Sequence, residues 1–282
     1  MLIAILGKGF IGSKLTSVLS KEFDVVTVGK GSSDVDYILD ARNYSEVIGF
    51  FNNFKPDCVI DTIGLTSSVE CEKNPKLAEE LNYKTTKNIS KACKKFNSKM
   101  IFLSSLYVFD GIKGNYKESN ISRATNEYAR TKIMAEREVL KLDGSIIVRT
   151  ELVYGYNGKG NGNNGVLDKI LSGSKIEIGD PYQKRQPIFA EDLARIISIF
   201  IENDVSGIFH TAGPEIFTTF YFLSRLESII RKQSKIEIVD ASKWLVKSPP
   251  NVTANIDKIK SLGISLTCLN DAIKIIKSQL SY

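Results

Sequence analysis

The chain of 282 residues has little cysteine and almost no histidine, and neither residue type forms a cluster. Its four cysteines, Cys58, Cys71, Cys93 and Cys268, show no C-x-x-C spacing, and the single histidine, His210, lies far from them in sequence. This distribution predicts neither a metal site nor a disulfide framework, so we expect reduced thiols. We interpret His210 as a structural residue of a core strand rather than as a catalytic base.

The sequence also lacks long apolar runs and a basic arm. No apolar run approaches the roughly 20 residues that a membrane-spanning helix needs. The opening run, Leu2 to Leu6, is too short for a signal peptide and has no basic leader. The net charge is +6, but lysines recur at helical spacing over residues 84–95, which favours a solvated helix face over a nucleic-acid surface. We therefore expect a cytoplasmic protein, a monomer or a homodimer, with no membrane or nucleic-acid partner.

Short apolar segments alternate with amphipathic segments over the first 150 residues. In chain order they read LIAIL, DVVTV, YILD, CVIDTI, KMIFLSS and SIIVRT. Continuous apolar runs of this length are typical of strands buried on both faces, and their alternation with helices predicts a parallel sheet. The predicted fold class is therefore α/β, a doubly wound parallel sheet (Rossmann-like) with a smaller discontinuous C-terminal substrate lobe.

The alternation loosens after about residue 150, which suggests that the second lobe begins there. The segment YGYNGKGNGNNG, residues 154–165, predicts a loop near the ligand end of the sheet, and Ser248-Pro249-Pro250 breaks the chain again. The predicted units are a dinucleotide-binding domain formed by residues 1–152 and 187–213 and a substrate-binding lobe formed by residues 153–186 and 214–282.

The glycine pattern GKGFIG lies between the first predicted strand and an apolar-periodic helix. In that setting Gly7 allows a tight turn, Gly9 lets the backbone approach a pyrophosphate at the positive helix end, and Gly12 lets helix and strand pack closely. The pattern therefore predicts a nucleotide site. Its predicted cofactor contacts are Gly7, Lys8, Gly9, Phe10, Ile11 and Gly12.

The end of the second predicted strand bears on which dinucleotide binds. An acidic residue there accepts hydrogen bonds from the ribose of NAD, but VVTVGKGSS offers Lys30, Ser32 and Ser33. A cation with neighbouring hydroxyls suits a 2′-phosphate. We therefore predict NADPH as the cofactor, with NADH possible, and Lys30 as one of its contacts.

A tyrosine, a lysine and two serines form the predicted chemical centre. Tyr128 and Lys132 are four residues apart on a predicted helix and share one face, where a lysine ammonium lowers the pKa of a phenol from its usual value near 10. KMIFLSS ends in Ser104 and Ser105 at the carboxyl edge of the sheet, where such folds bind ligands. A hydroxyl there can hold a carbonyl that is being reduced. The predicted catalytic residues are Ser105, Tyr128 and Lys132, with Ser104 and Ser105 also binding substrate.

The order and spacing of these blocks resemble the extended short-chain dehydrogenase/reductases, and within them the dTDP-4-dehydrorhamnose reductase group. The similar blocks run over nearly the whole chain: GKGFIG, PDCVIDTIGLTSSVECEKNP, ELNYKTTKNI, LSSLYVFDG, the Tyr128 to Lys132 pair, VRTELVYG, the asparagine-rich loop and GIFHTAG. The resemblance implies hydride transfer from NADPH to the C4 ketone of a nucleotide-linked 4-keto-6-deoxy sugar, as in dTDP-L-rhamnose biosynthesis.

The resemblance also implies a role for each residue of the centre. Tyr128 would donate the proton, Lys132 would lower its pKa and hold the nicotinamide ribose, and Ser105 would bind the substrate carbonyl. The further positions that it implies are Thr62, Ile63 and Gly64 along the cofactor, Asp40 and Ala41 near the adenine, and Arg185 on the substrate diphosphate.

Three departures from the family pattern keep other functions open. The glycine turn is one residue shorter than G-x-x-G-x-x-G, Leu106 replaces a carboxylate near the sugar, and Leu152 replaces a tryptophan against the sugar ring. One alternative is a non-catalytic NADP-binding regulatory protein similar to the β subunit of methionine adenosyltransferase, which loss of the sugar-facing residues fits. A second alternative is a sugar-nucleotide epimerase, which uses the same tyrosine and lysine but retains its cofactor through the cycle.

Overall fold

The computed structural model describes residues 1–31, 34–158, 165–203, 205–229 and 235–280. Within these ranges the strands are β1 (Leu2–Leu6), β2 (Asp24–Gly29), β3 (Tyr37–Ile38), β4 (Cys58–Asp61), β5 (Lys99–Ser105), β6 (Ile146–Thr150), β7 (Val153–Tyr154), β8 (Lys175–Ile178), β9 (Lys184–Arg185), β10 (Ile188–Phe189), β11 (Gly207–Thr211), β12 (Phe217–Thr218) and β13 (Lys235–Ile238). The α-helices are α1 (Phe10–Leu19), α2 (Tyr44–Phe54), α3 (Ser68–Lys73), α4 (Pro75–Glu79), α5 (Thr85–Phe96), α6 (Glu127–Val139), α7 (Val166–Leu171), α8 (Ala190–Glu202), α9 (Thr219–Glu227), α10 (Asp257–Lys260) and α11 (Leu269–Leu280). A π-helical turn (Glu80–Lys84) precedes α5, and a 3-10 turn (Leu106–Val108) follows β5.

Seven of these strands form one parallel sheet in the order β3-β2-β1-β4-β5-β6-β11. Each of the six apolar segments of the first 150 residues contains one of its strands. Apolar side chains cover both faces of the sheet because helices pack on both sides. The predicted doubly wound α/β class is therefore confirmed.

The strand order reverses at β1, which lies between β2 and β4. Leu6, the last residue of β1, is paired with Val28 on one side and with Asp61 on the other. In open parallel sheets, ligands bind in the crevice outside the carboxyl ends of the strands at such a reversal. The glycine turn that follows β1 therefore begins at the expected ligand edge.

Apolar side chains form one core on each face of the sheet and a third core beyond it. On one face Ile5 belongs to the same core as Ile197 of α8, and on the other face Ala4 belongs to the same core as Phe50 of α2. The third core, built mostly from segments after residue 150, includes Tyr154, Leu167, Ile176, Phe222 and Ile273. This third core is separate from the two cores of the main sheet.

One part of the chain packs differently from the sequence-based division. Val252, Ile256 and Ile259 belong to the core of the main sheet, although they fall in the segment expected to form the substrate lobe. These residues pack there because a contact between distant parts of the sequence brings the segment back to Tyr116. The backbone N–H of Tyr116 donates a hydrogen bond to the carbonyl of Thr253 over 2.9 Å. The expectations for Ser32 and Ser33 and for the middle of the glycine- and asparagine-rich loop, residues 159–164, lie outside the described residues.

Three further observations concern the cysteines, membrane-spanning helices and metal-binding clusters. Cys58, Cys71 and Cys93 are buried thiols, and Cys268 is exposed. In the part of the chain that the structure describes, no helix has the length and apolarity to cross a membrane. Over the same residues, no three histidine, cysteine or acidic side chains converge on a point that could hold a metal ion.

Candidate cofactor and substrate cleft

The three glycines of GKGFIG, of which Gly7 and Gly9 precede α1 and Gly12 lies in its first turn, differ in what surrounds them. Gly7 has φ +105°, and a Cβ added to it would lie 2.6 Å from Thr62 Oγ1. A Cβ on Gly12 would lie 1.9 Å from the Gly7 carbonyl oxygen. Around Gly9, at the N-cap of α1, a Cβ would meet nothing within 4 Å. The protein's own packing therefore requires Gly7 and Gly12, whereas Gly9 leaves open backbone at a positive helix end that suits an anion.

A cleft of about 1000 Å³ runs from this turn along the carboxyl edge of the sheet. Its volume is at the upper end of the range for small-molecule sites, roughly 300–1000 Å³. The sequence-predicted site residues all line it, namely Gly7, Lys8, Gly9, Phe10, Ile11, Gly12, Lys30, Asp40, Ala41, Thr62, Ile63, Gly64, Ser104, Ser105, Tyr128, Lys132 and Arg185. Folding thus brings positions up to 178 residues apart (185 − 7) onto one surface.

The end of the cleft beyond β2 carries a small charged cluster. Asp40 accepts hydrogen bonds from the Arg42 guanidinium through both carboxylate oxygens, and Lys30 Nζ lies 3.1 Å from Asp40 Oδ2. The hydrogen bond from Arg42 lowers the pKa of Asp40 well below its usual range, so Asp40 is a carboxylate at neutral pH. Arg42 also lies 3.5 Å from Glu80, so the two cations of the cluster face two carboxylates, and Lys30 is the more exposed of the two cations. Sequence reasoning missed Arg42 because the residue lies thirteen positions beyond the end of β2 (42 − 29), outside the segment that the pattern singles out.

At the opposite end, Ser105 and Tyr128 lie in contact beneath the substrate side of the cleft. Ser105 Oγ accepts a hydrogen bond from the Tyr107 N–H at 3.1 Å. Burial raises the pKa of Tyr128 to about 12, and a hydrogen bond with the Ser105 side chain partly opposes that rise. This direction differs from the expected lowering, because the sequence carries no measure of how deeply the phenol is buried. At neutral pH Tyr128 holds its proton.

Lys132 lies one helical turn after Tyr128 and is buried. Its Nζ donates a hydrogen bond to the Leu103 carbonyl over 2.8 Å and lies 4.6 Å from the centre of the Phe102 ring. Burial lowers the pKa of Lys132 to about 8, although the nearby carboxylates of Asp61 and Glu136 oppose the fall. The ammonium is therefore present at neutral pH but is lost in mildly alkaline solution.

Ser104, expected to bind substrate, points instead into a buried ionic network. Its hydroxyl donates to Glu136 Oε1, and Glu136 accepts two hydrogen bonds from Arg149, at 2.9 and 2.7 Å. Glu136 follows Lys132 by four residues and so lies on the same face of α6. The network ties α6 to β5 and β6 and thereby fixes the helix that carries Tyr128 and Lys132. The four-residue spacing from Lys132 could have identified Glu136 from the sequence, but no sequence pattern connects Glu136 with Arg149.

Arg185 lines the cleft and is already paired. Its guanidinium donates to Glu151 Oε1 over 2.9 Å and also to the Tyr107 hydroxyl, with which it makes a short contact. Burial alone would lower the pKa of Arg185, but Tyr107 and Glu151 raise it, so the side chain stays charged. The Tyr107 ring in turn packs edge-on against Tyr128, with 6.4 Å between ring centres. Tyr107 therefore connects Arg185 with Tyr128.

Asn82, in the π-helical turn, is a further residue that sequence reasoning did not single out. Its Oδ1 accepts from the Leu65 N–H at 2.6 Å, and its Nδ2 donates to the Leu65 carbonyl and to Thr131 Oγ1, each at 3.1 Å. These bonds connect the strip that contains Gly64 to the residue before Lys132. The one feature of the sequence that could have identified Asn82 is its position in the ELNYKTTKNI block.

Three features together define an extended short-chain dehydrogenase/reductase fold. They are the parallel sheet whose strand order reverses at β1, the glycine turn after β1, and the group formed by Ser105, Tyr128 and Lys132. A model of the family described as RmlD substrate binding domain matches residues 1–266. The chain therefore belongs to this family.

Two curated relatives and one solved structure illustrate the range of similar proteins. Methionine adenosyltransferase 2 subunit beta of Xenopus tropicalis is 26% identical over 237 residues, which are 80% of this chain and 70% of the relative. The dTDP-4-dehydrorhamnose reductase of Aggregatibacter actinomycetemcomitans is 27% identical over 259 residues, 85% of this chain and 87% of the relative. The crystal structure of dTDP-4-dehydrorhamnose reductase from Bacillus anthracis in complex with NADP has a TM-score of 0.86 at 22% identity and covers 98% of both chains.

Proposed function

We propose that the chain is an NADPH-dependent reductase of the C4 ketone of a nucleotide-linked 4-keto-6-deoxy sugar, of the dTDP-4-dehydrorhamnose reductase type. The observation that carries the proposal is that Ser105, Tyr128 and Lys132 line the same cleft as the glycine turn. The similarity to the reductase of A. actinomycetemcomitans over 85% of this chain supports the same reading.

The residues at the glycine end fit a dinucleotide. The open backbone at Gly9 lies at the helix end that attracts a pyrophosphate, and Lys30, an exposed cation that lines the cleft, suits a 2′-phosphate. The NADP complex of the B. anthracis reductase supports the choice of this cofactor. When bound, the nicotinamide supplies the hydride. The protein's own contribution is to hold the cofactor and to manage the proton.

Tyr128 is suited to give that proton to the alkoxide that forms from the ketone. Because burial raises its pKa, the phenol is protonated throughout the neutral range, as a donor in the reducing direction must be. Ser105 lies against Tyr128 and is placed to hold the carbonyl oxygen. In the proposed reaction the ammonium of Lys132, one helical turn from Tyr128, stabilises the phenolate left after proton transfer. Arg185, held by Glu151, presents a fixed cation for the diphosphate.

Lys30→Ala is expected to weaken NADPH binding by about fivefold, because it removes an exposed ion pair worth about 1 kcal/mol at most. NADH binding should change by less than about twofold, since NADH lacks the 2′-phosphate. Fluorescence titration of both cofactors measures the difference. Lys141→Ala is the matched control, because Lys141 pairs with Glu138 at 3.0 Å and is similarly exposed but lies away from the cleft. Equal loss of affinity for both cofactors would remove the 2′-phosphate argument.

The direct test of function is NADPH oxidation by the purified protein with dTDP-4-keto-6-deoxy-L-mannose. We expect NADPH absorbance to fall in proportion to the keto sugar added, and the same sugar carried on UDP tests how strictly the base is read. A cofactor that co-purifies with the protein and persists through turnover would instead favour the epimerase. The cytoplasmic location and the monomeric or homodimeric state stay predictions, and size-exclusion chromatography tests the second of them.

One structural observation favours the regulatory alternative. Leu106 is fully buried in the core of the main sheet, at the position where the family has a sugar-facing carboxylate, and Leu152 lines the cleft where the family has a tryptophan. The similarity to methionine adenosyltransferase 2 subunit beta is of the same order as that to the reductase. If NADPH binds but no keto sugar is reduced, affinity purification that recovers one stoichiometric partner supports this alternative.

A further inference from the structure

A buried carboxylate lies beneath the cleft at the end of β4. Asp61 is completely inaccessible to solvent. Its Oδ1 accepts the Ile63 N–H over 3.0 Å, and its Oδ2 accepts the Thr86 hydroxyl over 2.8 Å. Two neutral donors do not balance a full negative charge in an apolar interior, because removing a carboxylate from water costs several kcal/mol. A buried cation is the natural compensation.

The sheet register places Lys132 next to Asp61. Asp61 is paired with Phe102 across β4 and β5, so their side chains leave the same face of the sheet. Lys132 Nζ lies 4.6 Å from the centre of the Phe102 ring and would lie 3.5 Å from a Cβ added at Gly64, three residues beyond Asp61. The two charged groups therefore occupy one pocket below the cofactor-lining strip.

The other titratable groups around the pair do not replace either partner. Glu136, on the same helix as Lys132, is already neutralised by Arg149. Burial raises the pKa of the Cys71 thiol, on α3, and of the Cys93 thiol, on α5, so both are uncharged at neutral pH. The cation whose charge opposes the burial-driven rise in the pKa of Asp61 is Lys132.

We propose that Asp61 is the buried counter-charge of Lys132, a positioning residue that holds Lys132 as an ammonium beneath the reacting end of the cleft. The inference rests on the proposed reductase function for its catalytic meaning, since that function gives Lys132 its role. The coupling between the two charges follows from their burial, the sheet register and their opposite signs. Asp61 sets the alkaline limit of activity without touching the substrate or the cofactor.

Asp61→Asn tests the pair with little change in shape. The amide oxygen can still accept from the Ile63 N–H, and the amide N–H can donate to Thr86 Oγ1, whose hydroxyl already lies 3.3 Å from the Asn82 carbonyl. In protein labelled with ¹³C at the lysine ε carbon, the Lys132 signal is assigned by its loss in Lys132→Arg. Its titration midpoint, near pH 8 in the unchanged protein, should fall by at least about one pH unit in Asp61→Asn.

Asp57→Asn is the matched control, because Asp57 lies just before the same strand at the opposite edge of the sheet, and its carboxylate accepts a hydrogen bond from the Leu2 N–H, far from Lys132. Its Lys132 midpoint should not move. A midpoint that stays unchanged in Asp61→Asn overturns the proposal. If Asp61→Asn does not fold, the reciprocal variant Lys132→Met decides: the Asp61 carboxyl signal should then titrate at a higher pH than in the unchanged protein, and an unmoved signal again overturns the proposal.

Activity separates this inference from the proposed function. If the chain reduces the keto sugar, the alkaline limb of kcat/KM against pH should move to lower pH in Asp61→Asn by the same interval as the Lys132 signal, with near-normal kcat/KM in mildly acidic solution. If the signal moves but the unchanged protein never oxidises NADPH, the coupling of the two charges stands and the reductase function fails. If the signal moves and kcat/KM keeps its alkaline limb, the positioning role is wrong.

Discussion

Tyr128→Phe is expected to lower kcat for keto-sugar reduction by at least about 100-fold, because a positioned general acid contributes roughly 10²–10⁴ to the rate. The dissociation constant for NADPH should change by less than about threefold, since only one hydroxyl is removed. The phenol lies against Ser105 and lines the cleft. Single-turnover NADPH oxidation and fluorescence titration measure the two quantities separately.

Tyr154→Phe is the matched control for Tyr128→Phe. Tyr154 is also buried, and burial likewise raises the pKa of its phenol, but it lies in the third core rather than in the cleft. Its loss of one hydroxyl should leave kcat unchanged. A Tyr128→Phe protein that keeps kcat within about threefold of the unchanged protein would assign proton donation to another group.

The pH dependence of reduction follows from the two groups of this centre. A proton donor whose pKa is raised to about 12 does not lose its proton anywhere in the working range. Lys132, whose pKa is lowered to about 8, does lose its proton there. The alkaline limb of kcat/KM, which reports the enzyme before the keto sugar binds, should therefore have its midpoint near pH 8, and activity should fall as pH rises through it. This assignment is what makes the Asp61 variant informative.

Local sequence pattern was enough to predict the sheet and the cleft, because both depend on short-range features. Apolar runs gave the strands, and the placement of Gly7 to Gly12 and of Ser105 at strand ends gave the edge at which they meet. Arrangements that depend on tertiary packing were not predictable in the same way. The pairing of Glu136 with Arg149 joins a helix to a strand, and Asp61 reads as an ordinary polar strand end until the register places it beside Phe102.

The direction of the Tyr128 pKa shows the same limit. Sequence spacing correctly placed Lys132 one turn from the phenol, but the shift in pKa depends on desolvation, which is set by how many chain segments cover the site. Cys71 and Ala78, from α3 and α4, form the small core around Tyr128. No sequence pattern around Cys71 or Ala78 predicts that they contact Tyr128. The burial that keeps the proton on Tyr128 is therefore a property of the assembled fold.

Gly12→Ala is expected to lower the stability of the protein, whereas Gly9→Ala is expected to keep the stability and weaken NADPH binding. The two variants together test whether the glycine segment serves a ligand or only the fold. Gly12→Ala should destabilise the protein by about 3 kcal/mol, because its Cβ would lie 1.9 Å from a backbone oxygen that cannot move freely. Gly9→Ala should leave the free energy of unfolding within about 0.5 kcal/mol, since its φ of −73° suits alanine and its Cβ meets no protein atom within 4 Å. Urea unfolding measures both.

The same Gly9→Ala protein should bind NADPH at least about tenfold more weakly, because the added methyl group fills the open space at the N-terminus of α1 that a pyrophosphate would occupy. Gly49→Ala is the control, since a Cβ at Gly49, in α2, also meets nothing within 4 Å and lies away from the cleft. It should leave affinity unchanged and can stabilise the helix slightly. Unaltered NADPH binding by Gly9→Ala would mean that the turn serves the fold alone, whereas a loss confined to binding shows that Gly9, the second glycine, is kept open for the cofactor.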